Sequence, residues 1–210
     1  MDGLVHRILP ALEPRRGTLV FLHGMGSSLE GWTFLQPVLD LPWLELVVVQ
    51  ATLPCGKGWR WYEVDETNLS LPQTRDQITA HLALLENFLL SLDRPPRSLV
   101  VGGFSQGSVL SLELGLRSGI ELGGLLCISG YVPLVDDHPA ASGPLATSRQ
   151  ILCTHGQWDD VVPLEYARSQ YRTLASKGVP IEAEVFDKDH GFDPCDERRR
   201  IRDWLAGRLG

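Results

Sequence analysis

The sequence predicts an α/β fold: a mostly parallel, twisted sheet with helices on both faces. Three observations predict it. Strand-like apolar runs alternate with segments of helical periodicity along the 210 residues, without internal repeats. The pentapeptide Gly103-Phe104-Ser105-Gln106-Gly107 lies between an apolar run and a helical segment. Carboxylates and a histidine then follow that serine, each just past a further strand run, which places them at the carboxyl edge of such a sheet.

Thr18-Leu19-Val20-Phe21-Leu22 is β-branched and aromatic and reads as an early strand. Ser27 and Glu30 have capping-box spacing and predict the start of the next helix. Leu44 to Gln50 is a further apolar strand. Gln73 to Leu92 carries Ile78, His81, Leu82, Leu85 and Leu89 at helical spacing, and Asp93-Arg94-Pro95-Pro96 ends it. Leu99-Val100-Val101 enters the pentapeptide, and Ser108 to Leu114 leaves it as a helix. Leu125 to Ile128, Ile151 to Cys153 and the alternating Ile181 to Phe186 read as strands; Glu165 to Ser176 reads as an amphipathic helix closed by Gly178. Asp193-Pro194 opens a last helix with Ile201, Trp204, Leu205 and Leu209 on its apolar face. Ser129 to Gln150 is short, rich in Pro, Ala, Ser and Gly, and without helical periodicity. This predicts no cap domain and an open, shallow cleft. Residues 1–210 read as a single domain.

A strand that turns into a helix at G-x-S-x-G presents the serine on a strained elbow, and flanking glycines leave room for it. Ser105 is therefore the candidate nucleophile. Asp159 or its neighbour Asp160 is the candidate acid and His190 the candidate base, in the chain order that this architecture requires. His23-Gly24-Met25-Gly26 after the early strand is a turn that can aim the Met25 N–H at a carbonyl oxygen. The residue after the nucleophile, Gln106, offers the second N–H.

The other histidines have plainer readings. His155 reads as a packed or loop-bonding residue, and His23 as a tie within the oxyanion turn. His6, His81 and His138 have no evident partner. Asp187 and Asp189 read as solvated loop carboxylates. Trp59, Trp61, Leu71, Trp158 and Phe192 are the candidate substrate walls.

A formal net charge of -7 argues against nucleic acid or an anionic membrane as a standing partner, and Arg198, Arg199, Arg200 and Arg202 read as the solvated side of the last helix. The four cysteines have no metal-ligand spacing. Cys127 and Cys153 lie in strands, Cys55 and Cys195 in loops. Met1 to Arg7 lacks the apolar core of a signal peptide, and no segment is long enough to span a bilayer. With free thiols, this leads us to expect a reducing, cytoplasmic setting. No metal or organic cofactor is expected.

His23-Gly24-Met25-Gly26, the pentapeptide at Ser105, Ile128-Ser129-Gly130-Tyr131-Val132-Pro133, and His155-Gly156 through Asp159 to Val162-Pro163 together resemble the phospholipase/carboxylesterase family. That family includes acyl-protein thioesterases and small bacterial carboxylesterases. The resemblance runs from residue 17 to the C-terminus and implies an α/β-hydrolase fold of minimal size. It further implies Ser105 as nucleophile, Asp159 as acid, His190 as base, and the N–H groups of Met25 and Gln106 as oxyanion donors. The expected activity is that of a serine carboxylesterase, cleaving esters of short to medium acyl chains through an acyl-enzyme. The alternatives are an acyl-protein thioesterase or lysophospholipase, and a non-catalytic binding protein on a hydrolase fold. The expected partner is a small-molecule or lipid ester, without stable membrane insertion; the sequence leaves a homodimer open.

Overall fold

The computed structural model describes residues 3–64, 72–138 and 151–210. Among them is a seven-stranded sheet built from β1 (His6–Leu9), β2 (Gly17–Leu22), β3 (Leu44–Val49), β6 (Leu99–Phe104), β7 (Gly124–Ile128), β8 (Ile151–Gly156) and β9 (Ile181–Phe186). Their spatial order is β1-β3-β2-β6-β7-β8-β9; β1 is antiparallel to β3 and every other pairing is parallel. A separate hairpin joins β4 (Leu53–Cys55) to β5 (Gly58–Arg60). The helices are α1 (Leu35–Leu39), α2 (Pro72–Ser91), α3 (Gln106–Arg117), α4 (Leu164–Ser176) and α5 (Asp196–Leu209).

Period-two alternation along the buried strands supplies two cores. Val20, Leu22, Val47, Val49, Val101, Cys127 and Cys153 face α2, α3 and α4. Leu19, Phe21, Leu46, Val48, Val100, Leu126 and Leu152 face α1 and α5. The periodic residues of α2 (Ile78, His81, Leu82, Leu85 and Leu89) are all buried, as are Ile201, Trp204, Leu205 and Leu209 of α5. Helix α4 ends as its glycine suggested. The Gly178 N–H bonds the Ala175 carbonyl and the Val179 N–H the Leu174 carbonyl, the paired closure of a Schellman motif.

The structure departs from several expectations. Ser27 caps no helix: the turn that follows is a short 3-10 helix, Glu30–Trp32, preceded by Leu29, and Ser27 Oγ instead accepts from the Trp32 indole at 3.2 Å. Strand β1 and the β4–β5 hairpin carry no sequence pattern strong enough to predict them, because β1 is an exposed edge strand and the hairpin strands are three residues each. Cys55 thus ends a strand rather than lying in a loop. Arg200 is no merely solvated residue, since its guanidinium pairs with Glu182 and Glu184 of β9 and covers that edge with charge. The histidines without evident partners have them. His6 Nδ1 lies 2.8 Å from the Leu4 carbonyl, His81 bonds Thr52 and the Gln77 carbonyl, and His138 Nε2 lies 3.1 Å from Glu113 Oε2. Of the segment expected to carry no cap, 139–150 lies outside the described residues; Val135–Asp137 within it is a 3-10 turn.

Strand β6 turns into α3 at Ser105, whose backbone has φ 52° and ψ -117°. The turn is possible because α3 presses its first residues onto the end of β2. A Cβ on Gly107 would lie 1.9 Å from the Leu22 carbonyl oxygen, and one on Gly103 2.3 Å from the Gly107 carbonyl carbon. Both obstacles are backbone, so neither can step aside. We expect Gly107→Ala to destabilise the fold by about 3 kcal/mol or more. A Cβ on the exposed Gly119 meets nothing within 4 Å, so Gly119→Ala should stay within about 0.5 kcal/mol of the parent. Urea unfolding midpoints of the two variants check the difference.

Candidate active site

The carboxyl ends of β2, β6, β8 and β9 bring the candidate residues together. The Ser105 N–H is held by the Ile128 carbonyl of β7 at 2.9 Å, which fixes the elbow to the neighbouring strand. Ser105 Oγ lies 3.0 Å from His190 Nε2, and His190 Nδ1 lies 2.8 Å from Asp159 Oδ2. The carboxylate can only accept, so Nδ1 carries the proton of the neutral ring and Nε2 accepts from the serine hydroxyl. The His190 ring rests on Phe104 with centroids 5.0 Å apart. Phe104 in turn packs on Trp32.

Asp159 is buried and takes more than one proton donor on each oxygen. Oδ1 accepts the N–H groups of Val161 at 3.1 Å and Val162 at 2.8 Å, while Oδ2 receives His190 and, at 3.2 Å, His155 Nε2. Burial by itself would raise this carboxyl, but the bonds from His155, His190 and the Val162 N–H outweigh it and hold Asp159 well below the usual carboxylate range. Asp160 next to it is exposed. His155 Nε2 is also 2.8 Å from the Val162 carbonyl. Both of its neighbours there are acceptors, so the proton sits on Nε2. The expected loop-bonding histidine therefore also supports the candidate acid. The signal was present as a histidine four residues before an aspartate at a strand end, where one turn brings the two side chains together.

The turn from Gly24 to Gly26 lies against the elbow, since a Cβ on Gly24 would meet the Phe104 ring at 2.8 Å. His23 ties this turn from beneath. Its Nε2 accepts the Ala51 N–H at 3.1 Å, so Nδ1 carries the proton and donates to the Gly24 carbonyl at 2.8 Å. The Gly26 N–H and Trp59 N–H exchange bonds with Trp59 and Ser27 carbonyls, pinning the β4–β5 hairpin to the same turn. Met25 is exposed, whereas Gln106 is buried with its N–H in the first turn of α3, where a helix leaves donors unpaired. Its side chain has a second task not visible in the sequence: Oε1 accepts the Trp61 N–H at 3.0 Å and Nε2 donates to the Tyr62 carbonyl at 2.9 Å.

The candidate walls divide. Trp61 is no wall: it is fully buried, and its indole donates to the His23 carbonyl at 2.8 Å. Trp59 lines a groove of about 820 Å³ with Leu29, Gln50, Ala51 and Phe88. Trp158 is 64% exposed, its indole bonded to Asp187 Oδ1 at 2.6 Å, so Asp187 is engaged rather than simply solvated. Phe192 is half-buried against Phe34. Leu71 lies outside the described residues. Among the described residues, no cluster of His, Cys, Asp and Glu could hold a metal ion, and no helix is long and apolar enough to cross a membrane.

A parallel sheet with a serine elbow, a following acid and a following histidine at its carboxyl edge defines the α/β-hydrolase fold. The chain belongs to the phospholipase/carboxylesterase family, whose model matches residues 5–195. It is similar to acyl-protein thioesterase 1 of Yarrowia lipolytica, with 29% identity over 76% of this chain and 77% of that protein. A probable carboxylesterase of Oryza sativa subsp. japonica shares 26% identity over 99% of this chain and 85% of its own. The crystal structure of Zea mays acyl-protein thioesterase 2 superposes with a TM-score of 0.85 at 24% identity, covering all of both chains.

Burial lowers the affinity of His23 for a proton, more than its bond to the Gly24 carbonyl and the charge of Glu30 raise it. The unfolded chain therefore binds a proton at this site at a higher pH than the folded one. The contribution is full above the unfolded histidine value of about 6.5 and declines as pH falls below it. Asp159, depressed in the fold, adds a second loss on further acidification below about 3.9. Nitrogen-detected NMR should find His23 neutral with its proton on Nδ1 at a pH where an unfolded histidine is charged.

Proposed function

We propose that the protein is a serine carboxylesterase that cleaves esters of short to medium acyl chains, with Ser105 as nucleophile, His190 as general base and Asp159 as the acid that orients it. The observation that carries this reading is the continuous relay Ser105 Oγ to His190 Nε2 at 3.0 Å and His190 Nδ1 to Asp159 Oδ2 at 2.8 Å.

In this reading, Ser105 Oγ attacks the acyl carbonyl as His190 takes its proton, and the resulting imidazolium is stabilised by Asp159. The oxyanion is received by the N–H groups of Met25 and Gln106, the one in the turn against Phe104 and the other at the start of α3. Imidazolium then protonates the leaving alkoxide, and water enters to repeat the cycle on the acyl-enzyme. Exposed apolar side chains flank the machinery, with Met25 at the oxyanion turn and Trp158 and Val161 on either side of the acid loop. They favour an open site for an acyl group on a solvent-exposed leaving group. The same chemistry serves a thioester, and the similarity to the Yarrowia lipolytica acyl-protein thioesterase 1 makes an acyl-thioester the second reading.

Ser105→Ala should abolish hydrolysis and covalent labelling by a fluorophosphonate while leaving the unfolding midpoint nearly unchanged, because the backbone there is held by the Gly103 and Gly107 contacts. Retained labelling would overturn the nucleophile assignment. Rates on p-nitrophenyl esters of increasing chain length, set beside matching acyl-thioesters, separate the two substrate readings.

Asp159→Asn should reduce kcat by about 10⁴-fold, since an amide NH₂ facing Nδ1 imposes the wrong tautomer. Asp160→Asn, at an exposed position, should cost far less. Because Asp159 remains ionised well below the usual carboxylate range, protonation of this carboxyl should add no step to the kcat/KM profile above about pH 4. A pH step above about pH 4 that is present in the parent and disappears in Asp159→Asn would contradict this assignment.

A further inference from the structure

We propose that Lys188 is a positioning residue for the catalytic histidine, holding the His190 turn to the strand beside the nucleophile through a buried ion pair with Glu197. The inference rests on the triad reading above and extends it to a residue outside the triad.

Lys188 stands two residues before His190, yet its side chain is only 6% exposed and that of Glu197 is fully buried. The ammonium has three donors, and each has an acceptor. Nζ lies 2.7 Å from Glu197 Oε1, 2.6 Å from the Gly191 carbonyl and 3.2 Å from Ser129 Oγ. These three acceptors belong to different parts of the site. Gly191 is the peptide next to the base. Ser129 follows β7 directly, after the Ile128 carbonyl that holds the Ser105 N–H. Glu197 lies in the first turn of α5, and its other oxygen accepts the Asp193 N–H at 2.8 Å.

The main chain of Lys188 completes the link to the acid. Its carbonyl accepts the Trp158 N–H at 3.0 Å, one residue before Asp159. The carbonyls of Lys188 and Asp189 also press on the end of β8, where a Cβ on Gly156 would meet them at 2.5 and 2.4 Å. The acid loop and the base turn are thus in backbone contact, and the ammonium adds the third attachment, to the strand beside the nucleophile.

Stability alone is a poor reason for such an arrangement, because replacing a buried ion pair by neutral groups of similar volume is often neutral or favourable. What an apolar side chain could not do is donate to the Gly191 carbonyl and Ser129 Oγ at once. Released from that donor, the 190–191 peptide would relax, and a displacement on the order of 1 Å at a reacting group can cost about 100-fold in rate.

The test compares the parent with Lys188→Met, with Lys188→Met/Glu197→Gln and with Ser129→Ala. The single Lys188→Met leaves a buried carboxylate without its cation and should unfold at lower urea. In the double variant, the neutral amide still offers an oxygen to the Asp193 N–H, and the unfolding midpoint should return close to the parent. Its kcat should remain lower by about 30- to 100-fold with KM within about twofold, and its rate of fluorophosphonate labelling should fall in parallel. Ser129→Ala, which removes one acceptor without touching the charge pair, should lower kcat several-fold at unchanged KM. A folded double variant with kcat within about twofold of the parent would overturn the proposal. So would an unaltered kcat in Ser129→Ala, or a double variant that fails to fold, since the pair would then serve the fold and not the turn. A parent protein that takes no fluorophosphonate label would instead overturn the triad reading.

Discussion

At the carboxyl edge of the sheet, two pieces of backbone meet with no room for a side chain between them. Helix α3 sits so near the end of β2 that its second residue has no space for a side chain beside the Leu22 carbonyl oxygen. Everything at the carboxyl edge is arranged around that contact. It forces β6 to turn at Ser105 through φ 52°, lifts the hydroxyl out of the turn, and brings the start of α3 against the loop that begins at His23. Because the limit is set by carbonyl oxygens, the geometry does not relax when a side chain moves. The strain at Ser105 is therefore held by the whole packing of helix on sheet.

The other half of the site is held by hydrogen bonds rather than by steric contact. Asp159 is fixed by two backbone N–H groups of its own turn and by two histidines, one from β8 and one from the loop after β9. His190 is backed by aromatic rings, Phe104 and beyond it Trp32. The turn from Gly24 to Gly26 is supported by a neutral His23 beneath it and by the β4–β5 hairpin beside it. Gln106 joins these parts: its backbone opens α3, while its side-chain amide holds the main chain at Trp61 and Tyr62.

Much of this was legible in the sequence, and the boundary of legibility has a physical cause. Strands buried on both faces announce themselves as apolar runs, as Thr18 to Leu22 and Leu99 to Val101 do, and a parallel sheet then dictates which end of each strand faces the site. The order Ser105, Asp159, His190 follows from that topology. Harder to read were side chains whose partners are distant in sequence. Trp61 looked like a loop aromatic free to meet substrate, but its indole lies under the turn at His23. Lys188 drew no reading from the sequence, because nothing local reveals that its carboxylate partner is in the next helix. Ser27 and Glu30 had the spacing of a cap without a helix long enough to need one. Local pattern reports period and turn chemistry; it does not report what a long side chain meets across the fold.

The ion pair between Lys188 and Glu197 also has a bearing on how the molecule comes into being. The turn at Met25 and the elbow at Ser105 precede His190 in the chain, and the turn at His190 is tied to a helix that begins six residues later still, at Asp196. A chain in which only β2, β6 and α3 have packed would hold Ser105 without its hydrogen bond to His190. In the proposed reading, the serine therefore gains its proton acceptor only once the turn at His190 has docked against α5.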